Sequence, residues 1–354
     1  MSKAFDSVPH ERLLLKLSRY GIDGPLLRWF RNFLTNRHQR VVIHGTYSSW
    51  SQVTSGVPQG TILGPTLFLI YVNDIPNVVT STIKLLADDT KIYRELDNVD
   101  DTFALQSDLD SLENWTKSWQ VKFNSEKCEV MKITHKQDKS THPYYLSNTE
   151  LRFVDSYKDL GVHMSRILSW SNHVDVIVNK ANKVLGLLKR TVGSKNKEIF
   201  SMLYKSLVRP ILEYACPVWS LHLVKDILAI EKVQQRASRI ALRQKPCEMP
   251  YEERCKLLNW NSLQHRREYL SLVECYKTVF GLNGLDFNDY FECCRSKSTK
   301  ANHLFKIQTK SVRINAFKCS FFVRIIKEWN NLPHHLFGHD INDINANRFK
   351  PLLN

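Results

Sequence analysis

Two adjacent carboxylates, Asp88 and Asp89, stand between two segments that read as short strands, 83–86 and 91–93. Neighbouring side chains on a strand point to opposite faces, so one aspartate can face a cleft while the other takes an oblique role. Hard carboxylate oxygens suit Mg²⁺. An Asp-Asp pair is also ordinary turn chemistry. A second constellation is Ser55-Gly56-Val57-Pro58-Gln59-Gly60. Its glycines and proline shape a turn, and Gln59 offers both donor and acceptor to a base pair or sugar. A plain strand-to-helix connection has the same composition. The third is Lys232, Arg236, Arg239 and Arg243, spaced by 4, 3 and 4 residues and so on one helix face. Ile227, Ile230, Ala237, Ile240 and Ala241 take the opposite face. Such a stripe tracks a phosphate backbone or forms a solvated surface. His265, Arg266, Arg267 and the 297–310 stretch could extend it.

The elements that must position these groups follow from periodicity. Leu13, Leu14 and Leu17 predict a helix over 10–20, ended by Gly21. A second helix is expected from Pro25 to about Leu34. Residues 41–43 and 51–53 are expected to pair as strands around Gly45. Gly64-Pro65 opens an apolar helix from Thr66 to about Ile75, stopped by Pro76. The carboxylates fall between two short strands. A helix over 102–118 carries Phe103, Leu109, Leu112 and Trp115 on one side, and a strand is expected over 130–134. From about 171 onward, 174–188, 197–208 and 226–242 read as helices. Short spacings between the strands favour antiparallel hairpins, so the expected class is α+β. Trp170, Trp219, Trp260 and Trp329 are expected in the core rather than as base-stacking platforms.

Composition sets the frame. The 354 residues are 43% hydrophobic and 24% charged, which excludes a wholly disordered chain or a fibre. Length suits two domains or one large one. The longest strongly apolar run, 67–72, is too short to span a bilayer, and residues 1–6 do not read as a signal peptide. The expected location is therefore nucleus or cytoplasm, without membrane or secretion. Residues 1–160 hold 19 cations and 19 anions, whereas 161–354 hold 31 and 16, so the entire net +15 lies in the second part. A basic part joined to a neutral part suggests a nucleic-acid grip. Eight cysteines occur without a CxxC, and Cys293-Cys294 with His303 has poor zinc spacing. Reduced, mostly buried thiols are expected.

Taken together, the segments are far more specific. SGVPQGTILGPTLFLIYVNDIP followed by LLADDTKIY is very similar to motifs B and C of reverse transcriptases. SKAFDSVPHERLLLKL resembles the end of motif A, and the wording of all three resembles the non-LTR (LINE-type) retrotransposon class. LENWTKSWQVKFNSEKCEVMKI resembles the motif D region, and YKDLGVHMSRILSWSNHV the approach to the thumb. LYKSLVRPILEYACPVWS and IEKVQQRASRIAL are similar to later parts of the same elements.

The resemblance implies an incomplete palm over 1–160, lacking fingers, and a basic, mainly helical thumb and C-terminal region over 161–354. It implies RNA-directed DNA synthesis by two-metal nucleotidyl transfer with Mg²⁺. RNA template, DNA primer or RNA–DNA duplex, and deoxynucleoside triphosphates would be the partners. Asp88 and Asp89 match the metal-holding motif C acids, although Leu86 stands where an aromatic is common. Gln59 and Gly60 match the loop near the templating pair. Phe5 matches the aromatic beneath the incoming sugar, and Lys127 matches a motif D lysine that assists the leaving pyrophosphate. The motif A aspartate would fall just before Met1, and Asp6 lies roughly 20 Å of strand further on. The chain as written is therefore expected to be inactive. The alternative expectation is a non-catalytic remnant that binds RNA or RNA–DNA duplex.

Overall fold

A computed structural model describes residues 4–136, 142–192, 196–219, 221–245, 248–294, 305–312, 315–333 and 336–337. Met1 to Lys3, Cys247, His303, residues 297–304 of the basic stretch and the chain's last residues lie outside the described set. The fold is α+β, in two compact units. The first comprises Met1–Lys132 and Lys136–Val154, and the second Ile133–His135 and Asp155–Asn354.

In the first unit, α1 (His10–Arg19) buries Leu13, Leu14 and Leu17, the stripe its spacing predicts. Gly21 follows with φ +82, the left-handed geometry that a chain reversal here needs. Helix α2 (Gly24–Leu34) has Pro25 in its first turn, where the missing N–H costs nothing. Strand β1 (Arg37–Gln39) pairs antiparallel with β4 (Ser51–Val53), and β2 (Val42–Ile43) with β3 (Thr46–Tyr47). The expected pairing of 41–43 with 51–53 is thus wrong. His44 and Gly45 both take positive φ, so a two-residue turn brings Ile43 opposite Thr46.

Helix α3 (Leu63–Val72) starts three residues earlier than expected, and Pro76 sits in a separate short turn, Ile75–Val78. Strands β5 (Thr82–Leu86) and β6 (Asp89–Tyr93) form a hairpin. Helix α4 (Val99–Trp119) opens with a reciprocal cap, in which Asn98 and Asp101 each accept the other's backbone N–H. Leu109, Leu112 and Trp115 are buried, but Phe103 is exposed, because nine residues at about 100° each carry it to the side opposite Leu112. Strand β7 (Glu129–Val130) pairs in parallel with β10 (Arg152–Phe153), and β8 (Tyr145–Leu146) pairs with β9 (Thr149–Glu150). The strand expected over 130–134 stops at Val130, and the Thr134 N–H turns to Arg166 O in the second unit.

The second unit begins with the hairpin β11 (Ser156–Asp159) and β12 (Val162–Ser165). Helix α5 (Ser171–Thr191) follows, then α6 (Lys197–Leu203). The helix expected over 197–208 does not continue unbroken. Pro210 lacks an N–H and crowds the carbonyl four residues back. The chain widens into a π-turn at Tyr204–Val208, where the Arg209 N–H reaches back five residues to Tyr204 O. Helices α7 (Arg209–Glu213), α8 (Val224–Leu242) and α9 (Tyr251–Leu258) complete one core with α5, around Tyr204, Trp219 and Trp260. Helix α10 (Leu263–Val279) packs on a further cluster with α11 (Phe287–Tyr290) and α13 (Phe321–Asn330) around Trp329, and the short α12 (Asn315–Lys318) precedes α13. Trp219, Trp260 and Trp329 are buried and Trp170 packs partly buried against the first of these cores. Cys216, Cys255 and Cys275 are buried, whereas Cys293 and Cys294 are exposed and Cys128 and Cys319 half-buried. Among the described residues no helix is long and apolar enough to cross a membrane.

Candidate active site

The 55–60 loop is strapped to the segment 5–10 by main-chain bonds. The Gly56 N–H donates to Val8 O (2.8 Å) and the Val57 N–H to Phe5 O (2.7 Å). Ser55 Oγ donates to Asp6 O (2.8 Å), and buried His10 Nε2 donates to Gly56 O (2.9 Å). Glycine is required at 56. Its φ is +93, and a Cβ there would stand 2.8 Å from Asp6 Cα and 2.9 Å from Phe5 O. Gly64 closes the other side, since a Cβ on it would lie 2.3 Å from Pro58 O. The loop is thus wedged between the start of α3 and the chain at 5–8.

Phe5, in a short turn at Ala4–Asp6, stacks on Phe68 of α3 with ring centroids 4.6 Å apart. Exposed Gln59 donates to Asp6 Oδ1 at 2.8 Å. Gly60 has φ +77 with open space around it. Phe5, Gln59 and Gly60 therefore belong to one assembly. Sequence reasoning missed the roles of His10 and Asp6 there, because a lone polar residue beside a helix start carries no pattern.

Asp88 and Asp89 sit at the tip of the β5–β6 hairpin. Ala87 and Asp88 form its turn, Ala87 has φ +51, and Asp89 pairs with Leu86. Asp88 is half-buried and Asp89 exposed. Beside them Thr90 Oγ1 is buried without a hydrogen-bond partner among the described residues. The hairpin's base is fixed by a residue with no sequence signature. Asp108, buried within α4, accepts the N–H groups of Thr80 (2.7 Å) and Ser81 (2.8 Å). Burial works against its charge, but the hydrogen bonds from Ser81 and Thr80 outweigh it and hold its carboxyl below the ordinary range. Ile83, Leu85 and Ile92 of the hairpin and Phe5 all pack against the same apolar core, around Phe68 and Tyr71.

That core is pinned by Lys16. Its ammonium lies buried in a cage of Trp119 (3.9 Å), Tyr71 (4.8 Å) and Trp115 (4.9 Å), bonded to Tyr71 O and to Asp74 Oδ1 (2.6 Å). Burial lowers its pKa, opposed by Asp74. Trp115 Nε1 also donates to Asp74 Oδ1, at 3.1 Å.

Lys127 ends a short turn, Ser125–Lys127, with its side chain exposed. The cationic stripe lies on α8 in the second unit. Lys232 and Arg236 are exposed and Arg239 is half-buried. Arg243 caps the helix with φ +56, and Arg236 reaches Asn182 of α5 (3.4 Å). The face expected to be apolar buries Ile230, Ala237 and Ala241, together with Val233, Gln234 and Ser238.

As a donor set for two metal ions, these residues fall short. Asp88 and Asp89 are chain neighbours, Asp6 is engaged by Gln59, and no group of three metal-ligating side chains forms among the described residues.

Comparison with known proteins gives a consistent picture. A family model described as reverse transcriptase (RNA-dependent DNA polymerase) matches residues 1–182. The RNA-directed DNA polymerase from mobile element jockey of Drosophila melanogaster is 28% identical over 251 residues, 68% of this chain and 27% of its own length. The probable RNA-directed DNA polymerase from transposon X-element of the same species is 28% identical over 247 residues, 67% of this chain and 27% of its own length. The probable RNA-directed DNA polymerase from transposon BS, also of that species, is 24% identical over 255 residues, 68% and 28% respectively. The chain thus spans about a quarter of the length of these relatives.

Proposed function

The chain belongs to the reverse transcriptase (RNA-dependent DNA polymerase) family, and on that premise we propose that it supplies palm and thumb elements of an RNA-directed DNA polymerase of the non-LTR retrotransposon class. Residues 1–160 are the palm portion and 161–354 the basic thumb and C-terminal portion. RNA template, DNA primer and deoxynucleoside triphosphates are the partners. The observation that carries this reading is the strapping of the Gln59-Gly60 loop onto Phe5 and Asp6, on the same core as the Asp88-Asp89 hairpin.

Phosphoryl transfer of this kind is mostly positioning and charge neutralisation. Phe5 is held by Phe68 to present its ring edge to a sugar. Gln59, oriented by Asp6, borders the templating pair. Asp88 and Asp89 supply two of the carboxylates that divalent ions need in this family, and Lys127 the proton toward the leaving group. The described residues do not complete a two-ion site, so the chain by itself is inactive in this reading.

Primer extension on poly(rA)/oligo(dT) with Mg²⁺ or Mn²⁺ is the test. The chain as given should extend nothing. A fusion bearing jockey-type upstream sequence with its motif A aspartate should gain extension, and Asp88→Asn should then remove it at least a hundredfold, on the order of losing one charge-stabilising group. A fusion that folds but never extends would sink the polymerase reading. Extension by the unfused chain would sink the incompleteness. A second reading, a non-catalytic RNA or RNA–DNA binding remnant, is favoured by one observation: the net +15 of residues 161–354.

A further inference from the structure

The hairpin arm built from β1 to β4 stands out into solvent. Every residue from 36 to 52 is exposed, on both faces of the ladder. Yet its side chains are not those of a solvated loop: Val42, Ile43, Tyr47 and Trp50 all stand in water, Trp50 at 61% exposure. An exposed apolar group of this size marks a binding surface. Its chemistry is specific. The Arg40 guanidinium lies over the Tyr47 ring (4.1 Å) and the Trp50 ring (4.6 Å), so three flat groups cluster on one face. Arg37, His38 and His44 stand on the same arm. No aspartate or glutamate occurs between Asp23 and Asp74.

Exposed aromatic rings stack on unpaired bases, and guanidinium groups pair with phosphates. Duplex bases hide their faces, so rings of this kind suit a single strand. A 50-residue stretch without an acid presents no repulsion to a polyanion. We propose that the 37–53 arm binds single-stranded RNA, with Tyr47 and Trp50 stacking on bases and Arg37 and Arg40 holding phosphates. The choice of RNA rests on the polymerase reading above and deepens it, since the arm would take unpaired template. The surface itself is distinct from the α8 stripe and from the Asp88-Asp89 hairpin.

The test uses the full chain and fluorescein-labelled rU20, followed by anisotropy across a salt series. Tyr47→Ala/Trp50→Ala should weaken binding about tenfold or more, with the salt slope unchanged, because stacking releases no counterions. Arg37→Gln/Arg40→Gln should lower the log–log slope by about 1.4, at roughly 0.7 per phosphate on a single strand. Tyr47→Phe/Trp50→Phe should retain binding, which separates stacking from a folding defect. In the parent, 4-thiouridine placed in the strand should crosslink within 37–53. The proposal is overturned if the parent does not bind rU20, or if the arm variants bind it like the parent. It is also overturned if arm-dependent binding is confined to dT20 or duplex, or if the variants only convert a dimer to a monomer. Arm-dependent binding in a fusion that cannot extend a primer would defeat the polymerase reading alone. Extension with no effect of the arm variants would defeat the arm alone.

Discussion

At the scale of single residues, two glycines set the candidate site. Gly56→Ala would place a methyl 2.8 Å from the Asp6 backbone at a left-handed φ, and Gly64→Ala would drive one into Pro58 O. Neither obstacle is a movable side-chain end, so each substitution should cost roughly 2 kcal/mol or more. Gly60→Ala meets open space and carries only the cost of its φ of +77, on the order of 1 kcal/mol. Urea unfolding of the three variants should order them with Gly60→Ala the mildest; equal losses would mean that the loop is not wedged. The importance of 55–60 was legible in its turn residues. What it docks on was not. Nothing in the types of His10, Asp6 or Asp108 announces that each bonds a partner 25 or more residues away; that knowledge needs the tertiary fold.

At the scale of elements, the join between α1, α3 and α4 is an ionic one inside an apolar core. Lys16 is 3% exposed and its partner Asp74 is 32% exposed. Removing the acid strands a buried ammonium, whereas removing the lysine leaves a carboxylate that water can reach. Asp74→Ala should therefore cost about 3 kcal/mol or more, and Lys16→Met less than half of that. Chemical denaturation gives both numbers, and the reverse order would show that the aromatic cage alone stabilises the charge.

A second buried titratable group sits at the start of α5. His173 accepts the His163 N–H at Nδ1 (3.2 Å) and packs on Trp219 at 4.8 Å. Burial, with His163 and Arg267 nearby, pushes its pKa down to about 4. The unfolded chain therefore takes up the proton first. Stability from this group is present above about pH 6.5 and is lost as pH falls towards 4, by up to about 3 kcal/mol. The parent should lose more stability over that window than His173→Phe does, and parallel pH profiles would remove the argument. Helix and hairpin positions were largely legible, because periods of 3.6 and 2 survive in the sequence. The 41–53 pairing and the break at 204–208 were not, because a left-handed turn at a histidine and a proline's effect upstream do not alter apolar spacing.

At the scale of the whole molecule, charge is partitioned. Residues 161–354 carry all of the +15, and α8 aligns Lys232, Arg236 and Arg239 over a buried opposite face, with Arg243 following as its left-handed cap rather than on the helical face. Changing all four to Gln should lower the log–log salt slope for duplex by up to about 3.6, near 0.9 for each lost phosphate contact. A control needs four exposed or half-exposed cations of the neutral part, and Lys16, buried in its aromatic cage, is not one of them. Arg12, Arg19, Arg28 and Lys122 serve instead. Equal slopes in parent and variant would reduce the stripe to a solvated surface. The family was legible from two motifs, since few folds need that loop and that acidic pair 28 residues apart. The basic partition was legible from counting alone. The exposed arm at 37–53 was not, because exposure is a property of packing and its valines and isoleucine read as ordinary strand.

The widened turn before Pro210 has a consequence for how this region can vary. A π-turn holds one residue more than the α-helix it interrupts, and one residue is about 100° of rotation about the axis. Arg209 and Glu213 emerge from it in the phase that lets Glu213 receive Arg266 through two hydrogen bonds. A chain shortened by one residue within 204–208 would lose that extra residue and carry Glu213 about 100° round the axis, past its partner. The turn is thus a vernier: it sets the angular reading of everything between Arg209 and the buried Trp219, and it has room for only one setting.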